Sequence, residues 1–407
     1  MKRILIFSLS YYPHVGGAEV AIKEITDRIN PDEYAFDMIT LRFDSALPKR
    51  EKIGNVMVHR IGPSVANARV SDRALPWTLT LAKFLFPFTS FFKALSLDHT
   101  YVYDIVWAMM ANQAAFGALF FKYTHPRTPY FLELQDGRAF SDMITRRPIL
   151  RFVWWLYERV YLKADSIKVI SHFLEREVRG IGYQKEVVVI PNAVDVAKFS
   201  GDISPEELAE LKARFGKRMG DIFLFTASRL VLSRGVEDTI RALQYLPKHV
   251  KLLIAGTGED QTQLEHIAHE IGVSERVLFA GHIDHKDLPR YYKISDIFVR
   301  PSLIEGFGNA FVEAFAAGIP VVATPVGGIP DFLFDPEMNK SVEPTGIFCE
   351  VQKPESVARA VEKYVNDPML TARIIKNARE LVGQKYDWNI IADSMKRDVF
   401  EALAGRG

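Results

Sequence analysis

Two glutamates, Glu305 and Glu313, stand with seven residues between them in the run RPSLIEGFGNAFVEAFAAGIPVVATPVGGIPD, Arg300 to Asp331. The spacing places one in a loop and the other one turn into a helix. Asn309 is a suitable N-cap, AFVEAFAA is a good helix, and Gly318 with Pro320 stops it. Gly306 and Gly308, just before that cap, let the backbone pass close to a ligand. The first amides of the helix then point at the ligand, and the helix dipole favours an anion there. A carboxylate beside such a phosphate site suits hydroxyls: one Glu can accept both hydroxyls of a ribose, and the other can face a sugar ring. The bland alternative is a glycine-rich turn with two solvated glutamates. Two glycines, a cap, two spaced carboxylates and the following Gly-Ile-Pro-Val-Val strand entry argue against it.

Other glycines are placed to meet a ligand. Gly16 and Gly17 follow a first apolar run and precede a helical pattern, where a diphosphate or acceptor can approach the backbone. Gly256-Thr-Gly258 also follows an apolar run but lacks a third glycine, so it is expected to be a turn. A further strand ends in Leu-Glu-Leu-Gln-Asp-Gly. Asp136 at its mouth is either a sugar contact or an ordinary Asp-Gly turn, and Gln135 stands beside it. The lone cysteine, Cys349, excludes an internal disulfide and has no catalytic context.

These residues need a scaffold of strands and helices. Continuous apolar runs rich in Val and Ile alternate with amphipathic stretches, as parallel strands covered on both faces do. That alternation means α/β domains with parallel sheets. At 407 residues the chain has room for two such domains. The polar segment after residue 199 marks the boundary. The expected division is 1–197, joined by a C-terminal helix over 387–407, and 198–386. Met1 to Phe7 reads as a buried strand rather than a leader, and no stretch is long enough to span a membrane. Residues 1–200 hold 26 Lys and Arg against 20 Asp and Glu, and the remainder 25 against 30, which points to different duties for the halves or to chance.

The Arg300–Asp331 run resembles the donor site of glycosyltransferase family 4, the retaining group 1 enzymes with the GT-B fold. GGAEVAIKEI at Gly16 to Ile25 resembles the family's first glycine loop. ADSIKVISHF at Ala164 to Phe173 and VIPNAVDVAKF at Val189 to Phe199 resemble its late N-domain strands, and SRLVLSRGVEDTIRAL at Ser228 to Leu243 its phosphate-binding segment. The resemblance implies two Rossmann-like domains facing across a cleft. It implies that Glu313 binds the donor ribose, and that Glu305 with the amides of Phe307, Gly308 and Asn309 holds the sugar. Arg229 and Arg234 would hold the diphosphate. The family usually carries Lys at the place of Arg234, so the charge is kept and bidentate contact is gained. The family's N-domain His is replaced by Met109.

The implied reaction moves a sugar from a nucleotide-diphosphate sugar, a UDP- or GDP-sugar, to a hydroxyl of a glycan or lipid-linked acceptor with retention. Glu305, Arg229, Arg234 and Asp136 are its candidate catalytic groups. Positive groups and helix amides would stabilise the departing phosphate. No Asp-x-Asp metal site is evident and no cofactor is expected. The rival readings are a nucleotide-sugar epimerase, which would need no acceptor, and a non-catalytic sugar-nucleotide sensor. No nucleic acid partner is expected, and the location implied is cytoplasmic, at the inner face of a membrane if the acceptor is a lipid. Segments 77–95 and 148–163 carry Trp77, Phe84, Phe88, Phe92, Trp154 and Trp155 among other aromatics. They are expected first as core-packed helices, with membrane docking as the alternative.

Overall fold

The computed structural model describes residues 1–68, 75–137 and 150–405, with side chains of the segment after 150 described from Trp154 onward. The chain forms two compact units, Met1–Asn192 with Trp388–Gly407, and Ala193–Asp387. The division falls at Asn192 because the next residues belong to the second unit. Asp195 caps a short helix, Val196–Ser200, whose Phe199 packs edge-on against Tyr292 at 5.6 Å.

The first unit is built on eight strands: β1 (Lys2–Phe7), β2 (Tyr34–Leu41), β3 (Arg50–Ile53), β4 (Val56–Ile61), β5 (Ile105–Met109), β6 (Tyr130–Leu134), β7 (Ser166–Val169) and β8 (Glu186–Val189). Their order is β3-β4-β2-β1-β5-β6-β7-β8, parallel except for the β3–β4 pair. Continuous burial of Ile4 to Phe7, Ile105 to Met109 and Tyr130 to Leu134 shows why these runs do not alternate: both faces of the sheet are covered.

The last segment closes this unit. Helix Trp388–Met395 passes into a π-helical stretch, Lys396–Glu401. The wider turn seats Phe400 among Tyr34, Trp107 and Phe131, with ring centroids at 5.7, 5.8 and 5.9 Å.

The second unit has six strands: β9 (Ile222–Ala227), β10 (Val250–Ala255), β11 (Val277–Gly281), β12 (Ile297–Arg300), β13 (Val321–Ala323) and β14 (Ile347–Phe348). All run parallel in the order β11-β10-β9-β12-β13-β14. Strand order reverses between β9 and β12. The loops leaving their carboxyl ends therefore part in opposite directions and leave a crevice, the usual ligand position in such sheets.

The first aromatic helix packs on the core as expected, but along one face only. Helix Trp77–Asp98 buries Leu79, Ala82, Phe86 and Ala94 on one face. Its opposite face carries Trp77, Leu81, Phe84, Phe88 and Phe92, with Trp77 75% and Phe84 73% exposed. Trp155, on helix Leu150–Leu162, is also exposed. The helix is apolar nearly all round, so hydrophobicity alone could not say which face packs. Among the described residues no helix is long and apolar enough to cross a membrane.

Candidate active site

The constellation read from the sequence assembles at the strand-order reversal of the second unit. After β12 the chain turns through Pro301 to Gly308 and enters helix Asn309–Ala317. Gly308, not Asn309, is the N-cap, with φ at +99°. The reason is steric. A Cβ on Gly308 would lie 2.5 Å from the Phe311 ring, and the left-handed conformation alone disfavours a side chain. Asn309 becomes the first helical residue, and the Phe311 amide donates back to the Gly308 carbonyl at 3.0 Å. Phe307 turns its ring into the core against Phe332 and Tyr386, so only its backbone can serve a ligand.

Glu305 is buried and held by two arginines. Arg234 Nη1 and Arg300 Nη2 each lie 2.8 Å from its Oε2. Arg234 Nη1 also donates to the Ile304 carbonyl at 3.2 Å. The loop bearing Arg234 is clamped to the loop bearing Glu305. Leu303 N donates to Ser233 O at 2.9 Å, and a Cβ on Gly235 would sit 1.8 Å from the Pro301 carbonyl oxygen. Gly327 does the same from the far side, since a Cβ there would meet Glu305 O at 1.8 Å. Gly235, at φ +68°, and Gly327, at φ +57°, thus fix where the three charged groups meet.

Glu313 lies one turn into the helix, buried. Tyr292 donates its hydroxyl to Oε2 at 2.9 Å, and His285 Nε2 lies 3.1 Å from Oε1. Burial, and then the Glu313 charge, hold Tyr292 well above its ordinary range, so it remains a hydroxyl donor. Each carboxylate oxygen keeps a second acceptor direction for a ligand hydroxyl. Arg229 follows β9, is exposed, and makes no ion pair among the described residues. The structure thus brings Arg234 to Glu305 but attaches Arg229 to neither glutamate. Gly256 and Gly258 are turn glycines, pressed so close that a Cβ would lie 1.9 Å from the Ser228 carbonyl oxygen and 2.1 Å from that of Leu230.

Three further residues of the site, Arg300, Tyr292 and His285, carry no signal in the sequence. Arg300 closes β12 and opens the glycine-rich run, but nothing in its spacing distinguishes a buried guanidinium from an exposed one. Tyr292 and His285 reach Glu313 from 21 and 28 residues away, through folding alone.

In the first unit, Gly16 is the N-cap of helix Gly17–Asp27, and Glu19 accepts from its amide at 2.9 Å. Neither glycine needs a left-handed backbone: Gly16 has φ −131°, and Gly17 is helical. What glycine leaves is room, since a Cβ on Gly17 would meet only Gln135 Oε1, at 4.0 Å. Gln135 is held by Glu133 at 2.7 Å and by Asn192 at 2.9 Å. Glu133 in turn forms a fully buried pair with Lys168 at 2.5 Å. Met109 is buried at the end of β5, and Asp136 is half-buried, its charge bearing on the buried Tyr161.

Two family models fit the chain. The Glycosyl transferase 4-like domain matches residues 16–193, and Glycosyl transferases group 1 matches residues 208–381. The chain belongs to the group 1 glycosyltransferases. The second match spans Arg229, Arg234, Arg300, Glu305 and Glu313, and the first spans the Gly16–Gly17 turn and Gln135. An uncharacterized glycosyltransferase of Methanocaldococcus jannaschii is 28% identical over 402 residues, covering 96% of each chain. The fold of this glycosyltransferase is also that of sucrose-phosphate synthase from Thermosynechococcus elongatus, with TM-score 0.80, 20% identity and full coverage of both chains. HepE from Anabaena, solved in complex with UDP-glucose, matches with TM-score 0.75 at 19% identity over 98% of this chain and 100% of its own. The two parallel-sheet α/β units are thus those of the GT-B fold.

Proposed function

We propose that this glycosyltransferase transfers a sugar from a UDP- or GDP-sugar, with retention, to a hydroxyl of a glycan or lipid-linked acceptor. The observation that carries the reading is the meeting of Arg234, Arg300 and Glu305 at the strand-order reversal, beside a helix that presents Glu313. Glu313 accepts the ribose hydroxyls, with Tyr292 and His285 fixing its two oxygens. The diphosphate lies at the start of helix Asn309–Ala317, where amides and dipole favour an anion. Arg234 turns to it, and Arg229 reaches it from the end of β9.

As the anomeric C–O bond breaks, negative charge grows on the leaving phosphate, and these cationic groups stabilise it. The same bond-breaking makes the sugar oxocarbenium-like. Glu305 accepts a sugar hydroxyl and lends negative charge to that face. The acceptor hydroxyl enters on the face the phosphate leaves, and the phosphate takes its proton. In the first unit, Gly16 and Gly17 leave space for the acceptor side, with Gln135 and Asp136 as polar contacts.

The exposed aromatic stripe on helix Trp77–Asp98 supports a lipid-linked acceptor reached by peripheral contact with a membrane. Aromatic side chains suit the boundary between headgroups and acyl chains. Nuclear magnetic resonance of the product made from an α-linked donor tests the reaction. An α-glycoside is expected, and a β-glycoside would overturn the retaining reading. Vesicle sedimentation of the chain tests the membrane contact, with loss of binding in Phe84→Ser expected.

A further inference from the structure

Arg300 is set differently from the other cations of the site. Its residue is buried, whereas Arg234 keeps a third of its side chain exposed. Nη1 donates to the Ala227 carbonyl at 3.2 Å, which ties the guanidinium to the end of β9. Nη2 holds Glu305 at 2.8 Å. Its Nε is buried with no hydrogen-bond partner among the described residues, and the planar group lies 4.3 Å from the centre of the Phe311 ring. Gly308 makes the seat possible, because a Cβ there would stand 3.1 Å from Nη2 and would press on Phe311. Arg300 is thus anchored by a strand end, a ring and a glycine, while Arg234 sits on a short turn with access to solvent.

The two arginines share one carboxylate oxygen, so their fates are linked. A diphosphate at the helix start would compete with Glu305 for Arg234. If Arg234 moved and nothing else held Glu305, a buried carboxylate would be left without a counter-charge, which is strongly unfavourable. We infer that Arg300 is a positioning residue that keeps Glu305 paired and aimed when Arg234 turns to the donor diphosphate. The anchored arginine releases the mobile one. This rests on the donor-site reading of Glu305 and Arg234, and it assigns Arg300 no contact with substrate.

Removing Arg300 must then weaken binding of a group it does not touch. In Arg300→Met, Arg234 is the one cation left on Glu305 among the described residues and is held there. Binding of UDP or GDP should weaken on the order of tenfold to a hundredfold, the range for a hydrogen bond to a charged group. Adding Glu305→Gln removes the carboxylate that detains Arg234. The double variant should recover nucleoside diphosphate affinity but not turnover. A merely structural role for Arg300 predicts no such recovery.

The experiment is calorimetric titration of UDP and GDP into the whole wild-type chain, Arg300→Met and Arg300→Met/Glu305→Gln, with kcat measured on each. Weak binding by the single variant and recovered binding by the double are expected. Wild-type affinity in Arg300→Met, or equally weak binding in the double variant, would overturn the role given to Arg300. If Arg300→Met does not fold, Arg300→Lys takes its place in the same comparison. Lysine keeps the charge but cannot bridge Ala227 and Glu305, so the same recovery is expected at smaller amplitude, and its absence overturns the inference. A wild type that binds neither nucleotide and transfers no sugar would instead overturn the donor reading beneath it.

Discussion

Arg234 Nη1 lies 2.8 Å from Glu305 Oε2, joining the segment after β9 to the segment after β12 at the point where strand order reverses. The pair is partly open to solvent on the arginine side, so a bound anion can reach that guanidinium. Arg234→Ala is expected to lower turnover much more than Arg234→Lys, because charge at the diphosphate matters more there than fork geometry. Steady-state kinetics on both variants test this. Equal, wild-type turnover in both would place Arg234 outside the reaction.

Glu313→Ala should weaken nucleotide-sugar binding by about 1.5–3 kcal/mol, the usual loss for a charged hydrogen-bond partner. The fold should survive, because the Tyr292 hydroxyl retains the Ala310 carbonyl as acceptor at 3.0 Å. Donor titration beside a thermal melt separates the two effects. Unchanged donor affinity in a folded variant would remove Glu313 from the ribose.

Much of this site is legible in the sequence because its parts lie within one short run. Gly306, Gly308 and the two glutamates stand in a spacing that only a loop-to-helix entry explains, and the unbroken apolar runs announce parallel strands. The N-cap lies one residue earlier than the sequence suggests. Asn309 has the better capping side chain, but the Phe311 ring and the left-handed turn require glycine at 308. Arg300, Tyr292 and His285 are not legible, since their roles depend on which strand ends and helices meet. The exposed stripe of Trp77, Phe84 and Phe88 is hidden for another reason: an apolar helix carries no pattern that marks its outward face.

Asp238 is raised from its ordinary 3.8 to about 6, first by burial and then by the neighbouring Glu237. The folded chain therefore binds this proton more tightly than the unfolded chain. Stability from this group is greatest at low pH, falls as pH rises from about 4 to about 6, and stays lower above that. Asp238→Asn should flatten that slope and raise the melting temperature at neutral pH. Melting curves between pH 4 and 8 that match the wild type would refute it.

Phe400 anchors the C-terminal segment in the first unit through Tyr34, Trp107 and Phe131. Phe400→Ala is expected to cost about 3–5 kcal/mol, as for other large core truncations. Denaturant unfolding measures it. A loss below about 1 kcal/mol would mean that the segment packs without depending on this ring.

Sugar transfer from a nucleotide donor held by the second unit is the central claim. Its most direct test is release of nucleoside diphosphate from a panel of UDP- and GDP-sugars, with and without hydroxyl acceptors, followed by mass spectrometry of the products. The expected result is release with one donor only when an acceptor is present, a product heavier by one sugar, and loss of both in Arg234→Ala. An epimerised donor recovered without acceptor, or nucleotide binding with no turnover under any acceptor, would contradict it.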